Sequence, residues 1–262
     1  MLDPTINAFA LPGRIYLHTG LLSRVENEAQ LAVVMARELS HLSRRHVVAR
    51  PGVDARLDEA LLRIAPSIIG TAPLDEGAEV MSHTAATILG KRLPRAYVAA
   101  IGGYGRDAER EADEAGLERV VRAGYDPKEA PKVFERLRRD AKNGGVMERF
   151  RLGNDAALAE RQESMTTLVA GTFAYPAALT ETTRDTPEFV VIATPIAREN
   201  ARLELRAGRF RAAQEQLDRV LAANPGDGLA FLYYGDWYRL RAQRARSVAD
   251  RDEFARKALA AY

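Results

Sequence analysis

Residues 28–48 constrain this chain most, because they read as one long amphipathic helix with three ionisable side chains set into a single turn. Leu31, Val34, Met35 and Leu42 recur at helical spacing and mark its buried stripe. Arg37 and His41 stand four apart on one line of that helix, and Glu38 is offset by about a third of a turn. A fold that buries this helix must bring countercharges to that turn, or leave the turn in water.

The metal-binding form of this spacing is H-E-x-x-H. Its two histidines, one turn apart, reach a single zinc ion, and its glutamate takes a proton from the zinc-bound water. Ala36-Arg37-Glu38-Leu39-Ser40-His41 keeps the glutamate and the second histidine but carries Arg37 at the first ligand position. A guanidinium stays protonated, cannot coordinate a cation and repels one. Taken alone, the segment reads as a solvated charged face.

Two further stretches stand in order around it. Upstream is Asn7-Ala8-Phe9-Ala10-Leu11-Pro12-Gly13, followed by Arg14-Ile15-Tyr16-Leu17. Downstream is Glu109-Arg110-Glu111-Ala112-Asp113, followed by Gly116. Together the three segments resemble the HtpX/BepA-type zinc metallopeptidases of the gluzincin group. Their pattern runs N-A-F-A-L-P-G, then H-E-x-x-H, then E-x-E-A-D-x-x-G. The resemblance covers about the first two-thirds of the chain.

That resemblance implies an α+β, mostly helical fold: a zincin-like metallopeptidase domain with a small edge sheet. It implies Glu38 as the general base of peptide-bond hydrolysis, His41 and Glu109 as zinc ligands, and Asp113 as the carboxylate that orients a ligating histidine. Zinc is the cofactor expected of such a family. With Arg37 in the first ligand position, it is expected to be absent or weakly bound, the guanidinium pairing instead with Glu109 or Glu38. Charge pattern alone gives Glu109–Asp113 a plainer role, as a salt-bridged helix face shared with Arg106 and Arg110. The family often carries a His-Pro pair whose histidine can cap the metal; here Asp155-Ala156 stands there, making Asp155 a possible switch position or simply a helix N-cap. His46 lies off the line of His41, and neither His18 nor His83 has a partner at ligand spacing.

Asn7–Gly13 reads as a turn entering a short strand, with Ile15 and Leu17 on one face. Ile15 and Tyr16 could edge a cleft and bind an extended peptide by strand addition, or serve only as a sheet strand. Residues 54–100 read as helical segments broken at Gly70–Pro73 and Gly90–Pro94. Gly124-Tyr125-Asp126-Pro127 reads as a turn capping a helix to about Arg139, and Asp140–Gly145 as a loop.

The chain of 262 residues holds one large or two modest domains. Its formal charge of +2 gives no general pull towards nucleic acid or membrane, and the lack of cysteine excludes disulfides and thiolate metal sites. No leader peptide and no membrane-spanning stretch are read from the residues given. Relatives place such a chain in the periplasm or envelope, with the cytoplasm as the alternative.

Residues 1–170 are expected to form the metallopeptidase-like domain, 171–187 a linker and 188–262 helical repeats of tetratricopeptide type. Ala207-Gly208, Ala213, Leu217 and Asn224-Pro225 carry that pattern, and Phe231, Tyr234, Gly235 and Tyr238 begin the next unit. The aromatics of 231–238 read first as repeat core and second as a peptide-binding groove, with Tyr233 or Trp237 the ones expected to be exposed and to bind peptide. Three functions remain open: a polypeptide-binding relative with weak or no catalysis in protein quality control or assembly, an active zinc endopeptidase acting on misfolded or unassembled proteins, or a repeat-based interaction scaffold.

Overall fold

The computed structural model describes residues 4–11, 13–46, 106–143, 155–174 and 182–262. The helical segments expected in 54–100, the apolar stretch Ser67–Pro73 and His83 lie outside the described residues. The chain divides into two compact units, one made of Ile6–Leu17 and Ala29–Arg184, the other of the residues to Thr5, His18–Glu28 and Asp185–Tyr262.

The first unit opens on a hairpin. Strands β1 (Ala8–Leu11) and β2 (Arg14–Leu17) pair antiparallel, Phe9 facing Tyr16 and Leu11 facing Arg14. Gly13, directly before β2, has the positive φ of 79° that the expected turn calls for. Ala8–Leu11 is a strand because Phe9 and Ala10 are both buried, and Phe9 stacks on Tyr16 at 4.9 Å.

After α1 (Thr19–Leu22), the long helix α2 runs from Glu28 to Ser43, five residues short of the expected end at Val48. Arg45 turns left-handed at φ 57°, while Arg45 N–H bonds Leu42 O at 3.1 Å and His46 N–H bonds His41 O at 3.0 Å. This is a Schellman ending, which a sequence without Gly or Asn at the stop conceals. The buried stripe differs too. Ala29, Val33, Val34, Ala36, Ser40 and His41 are buried, Leu31 and Leu42 are half-buried, and Met35 is exposed.

The reason lies in α3 (Arg106–Arg122), whose Gly116 approaches so closely that a Cβ there would stand 3.1 Å from Arg37 Cα. Such a crossing admits Ala36 and Ser40 and excludes large side chains. Gly116→Val is expected to cost about 1–3 kcal/mol by overpacking. Urea unfolding checks this, and an unchanged midpoint would show the two helices free to slide apart.

Gly124 turns the chain at φ 81°, and Asp126 caps the 3-10 turn Pro127–Glu129 by accepting from Lys128 N–H at 2.9 Å. Helix α4 (Ala130–Asn143) outlasts its expected end at Arg139, helped by the Arg136–Asp140 pair at 3.4 Å one turn apart. Helix α5 (Asp155–Ala170) buries Leu158 and Met165. Thr183, at the far end of the expected linker, exchanges backbone bonds with Gly124 and Asp126 at 2.9 Å.

In the second unit, α6 (Pro187–Arg206), α7 (Phe210–Ala223), α8 (Gly228–Arg244) and α9 (Val248–Ala261) follow one another with short connections. The β-branched run Phe189–Ile192 is helical, in a helix capped by Thr186, whose hydroxyl accepts from Phe189 N–H at 3.2 Å. Their core gathers Ala197, Ala201, Leu205, Leu217, Val220 and Ala230. Tyr233 and Trp237 belong to it at 8% and 6% exposure, which corrects their expected place on an open groove. With Ala230 they form the inward stripe of α8, while Phe231 and Leu232 point to solvent. No helix among the described residues is long and apolar enough to cross a membrane.

Candidate functional site

Helices α2 and α3 cross at Gly116, and this crossing brings the charged turns of both into register. Arg37 is the hub. Its Nη1 donates to Glu38 Oε1 at 2.9 Å, its Nε to Asp113 Oδ1 at 3.0 Å, and its Nη2 to Glu109 Oε2. Glu38 and Asp113 are buried, so these are bonds formed largely out of water, where ionic hydrogen bonds are strong.

A second guanidinium arrives from α5. Arg161 grips Asp113 with Nε at 2.7 Å and Nη2 at 2.6 Å, and its Nη1 stands 3.4 Å from Glu109 Oε2. Its planar face rests on the Phe134 ring, 4.5 Å from the centroid. Three carboxylates thus meet two guanidiniums.

Burial shapes each ionisation. It raises the Glu38 carboxyl above its usual range, against the opposing pull of Arg37. It lowers the Arg37 guanidinium from its ordinary value, with Arg161 adding to the fall, although an arginine so surrounded by carboxylates keeps its charge. His41, fully buried, is pushed down to about 2, first by desolvation and then by Arg37, so it is a neutral imidazole near pH 7. His41 Nε2 lies 4.0 Å from Glu109 Oε2, and its Nδ1 lies 2.9 Å from His46 Nδ1.

The structure brings Arg37, Glu38, His41, Glu109 and Asp113 together. Asp155 stands elsewhere in role: it accepts from Arg138 at 3.0 Å, and it precedes Arg161 by six residues, about 9 Å along α5. The α4–α5 pair holds that carboxylate. Ile15 and Tyr16 lie half-buried on β2. Tyr233 and Trp237 belong to the other unit.

Two participants were not singled out from sequence. Arg161 follows Glu160 on a helix with ordinary charge spacing, and its partner is 48 residues away, so periodicity carries no trace of it. His46 lies off the His41 line only while the helix continues; the Schellman ending folds it back.

A catalytic zinc takes three protein ligands and a water. Of the family positions, Arg37 can only donate, and among the described residues no group of three His, Cys, Asp or Glu side chains could hold a metal. The described residues at the family positions, with Arg37 in the first, do not make up a three-ligand zinc set.

A motif helix crossed by a second helix bearing E-x-E-A-D is the chassis of a zinc metallopeptidase. A sequence profile for peptidase family M48, whose members are zinc-dependent, matches residues 1–191. The chain belongs to that family. It is 35% identical over 136 residues to the mitochondrial metalloendopeptidase OMA1 of Arabidopsis thaliana, covering 52% of this chain and 24% of that protein. It is 32% identical over 144 residues to the beta-barrel assembly-enhancing protease of Escherichia coli (strain K12), covering 50% and 26%. The OMA1 of Schizosaccharomyces pombe is 32% identical over 145 residues, covering 54% and 37%. The chain thus spans between a quarter and a little over a third of the length of these relatives.

Proposed function

We propose that this chain is a member of its family in which Arg37 supplies the charge of the metal, and that it binds polypeptides with little or no hydrolysis. The observation that carries this is the three-way pairing of one guanidinium with Glu38, Glu109 and Asp113. In a working site, Glu38 would deprotonate a metal-bound water. Here Glu38 Oε1 is taken up by Arg37, and the family ligand Glu109 accepts from the same guanidinium.

The organisation that goes with it is a metallopeptidase-like domain over residues 1–170, a linker over 171–187 and tetratricopeptide-type repeats over 188–262. Short-linked helices packed around a shared small-residue core support the repeat assignment. An unfolded polypeptide is the proposed partner, met along the β2 edge at Ile15 and Tyr16 and on the repeats, in quality control or assembly of other proteins.

Elemental analysis of protein purified without chelators tests the central claim, beside Arg37→His. The protein as it stands is expected to carry far less than one zinc per chain and to leave casein intact. Arg37→His is expected to bind about one zinc, since it completes a His, His, Glu set. Stoichiometric zinc on the unaltered chain would overturn the reading.

A further inference from the structure

His41 and His46 meet Nδ1 to Nδ1 at 2.9 Å, and His46 Nε2 stands 3.1 Å from Glu111 Oε2. Of two ring nitrogens in that contact, one must carry a proton and the other a lone pair. The Glu111 carboxylate also holds Arg44 at 2.9 Å, so it is an acceptor and calls for an N–H on His46 Nε2. At a pH where both rings are neutral, each has a single N–H. Placed on His46 Nε2, it leaves His46 Nδ1 as an acceptor, and His41 must donate from its own Nδ1.

The other face of His41 agrees. Its Nε2 lies on the side of Glu109 Oε2, the oxygen that Arg37 holds and Arg161 approaches at 3.4 Å. At 4.0 Å that oxygen, already held by guanidiniums, is beyond hydrogen-bond reach and places no demand for an N–H on His41 Nε2. The helix ending supplies the geometry. His46 N–H bonds His41 O at 3.0 Å, which sets residue 46 over residue 41, where such an ending ordinarily places an apolar contact.

We infer that His46 is a positioning residue that, with Glu111 behind it, holds His41 as the Nδ1–H tautomer and turns the Nε2 lone pair toward the carboxylate–guanidinium cluster. The orientation of the motif histidine is thus set from beyond the end of its own helix. This holds whether or not Arg37 stands in for a metal.

Long-range proton–nitrogen NMR of the ¹⁵N-labelled full chain at mildly alkaline pH reads the tautomer directly. The chain has four histidines, so substitutions at His18 and His83 assign the remaining signals. The expected pattern for His41 is a protonated Nδ1 and a bare Nε2. His46→Leu keeps an apolar contact at the helix ending but removes the acceptor, and is expected to reduce the Nδ1–H population several-fold. His46→Asn returns an acceptor oxygen near the Nδ1 position and is expected to restore it. Should His46→Leu fail to fold, Glu111→Ala, at a half-exposed side chain, is expected to shift the same population in the same direction. A protonated Nε2 on His41 in the unaltered chain overturns the inference, as does a His41 pattern unmoved by loss of the His46 acceptor or of Glu111.

Discussion

Arg37→Met is expected to destabilise the first unit by about 3–5 kcal/mol near neutral pH, because it leaves buried carboxylates without their shared partner. Asp113 and Glu109 keep Arg161, so the loss falls mainly on Glu38, which is 1% exposed and whose Oε2 has no hydrogen-bond partner among the described residues. Burial already raises the Glu38 carboxyl above its ordinary range, and the opposing pull of Arg37 would be gone. A carboxyl whose folded pKa exceeds its unfolded value stabilises fully below the unfolded value and loses that contribution as pH rises. The defect in Arg37→Met is therefore expected to grow from pH 5 to pH 8. Adding Glu38→Gln is expected to recover about half of it by removing the stranded charge. Urea unfolding at both pH values measures this. A loss below about 0.5 kcal/mol would mean that Arg37 points into solvent and pairs with nothing.

Trp237→Ala is expected to cost about 3–5 kcal/mol in the helical unit. The ring is 6% exposed, meets Phe210, Tyr238 and Phe254 edge-on, and donates its Nε1–H to Phe210 O at 2.8 Å. Arg241 lies over its face at 5.0 Å. Truncation opens a cavity and removes that hydrogen bond in one stroke. Thermal unfolding checks it. A loss under about 1 kcal/mol with diminished polypeptide binding would instead return Trp237 to an open groove.

What sequence disclosed, and what it did not, follows from how far each signal travels along the chain. Arg37, Glu38 and His41 are one turn of one helix, and Glu109 and Asp113 one turn of another; spacing puts each set on one face, but only the resemblance to a known family joins the two sets into a site. Gly116 showed as a family residue, but its physical work, admitting the α2 backbone at van der Waals distance, needed the crossing itself. The stripe through Leu31, Met35 and Leu42 failed because that crossing selects small residues over large ones. Tyr233 and Trp237 were misplaced because α8 carries apolar and aromatic side chains on both faces, and periodicity cannot say which face is inward. Arg161 reaches its partner across 48 residues, beyond any local pattern.

The buried pair between Arg24 and Glu204, 3.1 Å apart and separated by 180 residues, has a consequence for synthesis. At about 5–20 residues per second, a ribosome places Glu204 roughly ten to forty seconds after Arg24 has left the tunnel. Throughout that interval His18–Glu28 has none of its α6 partners, and Arg24 stays hydrated. The segment just before the motif helix therefore settles last, when the C-terminal helices arrive. A nascent chain stalled before α6 would expose that segment to chaperones and proteases, however well its hairpin had formed.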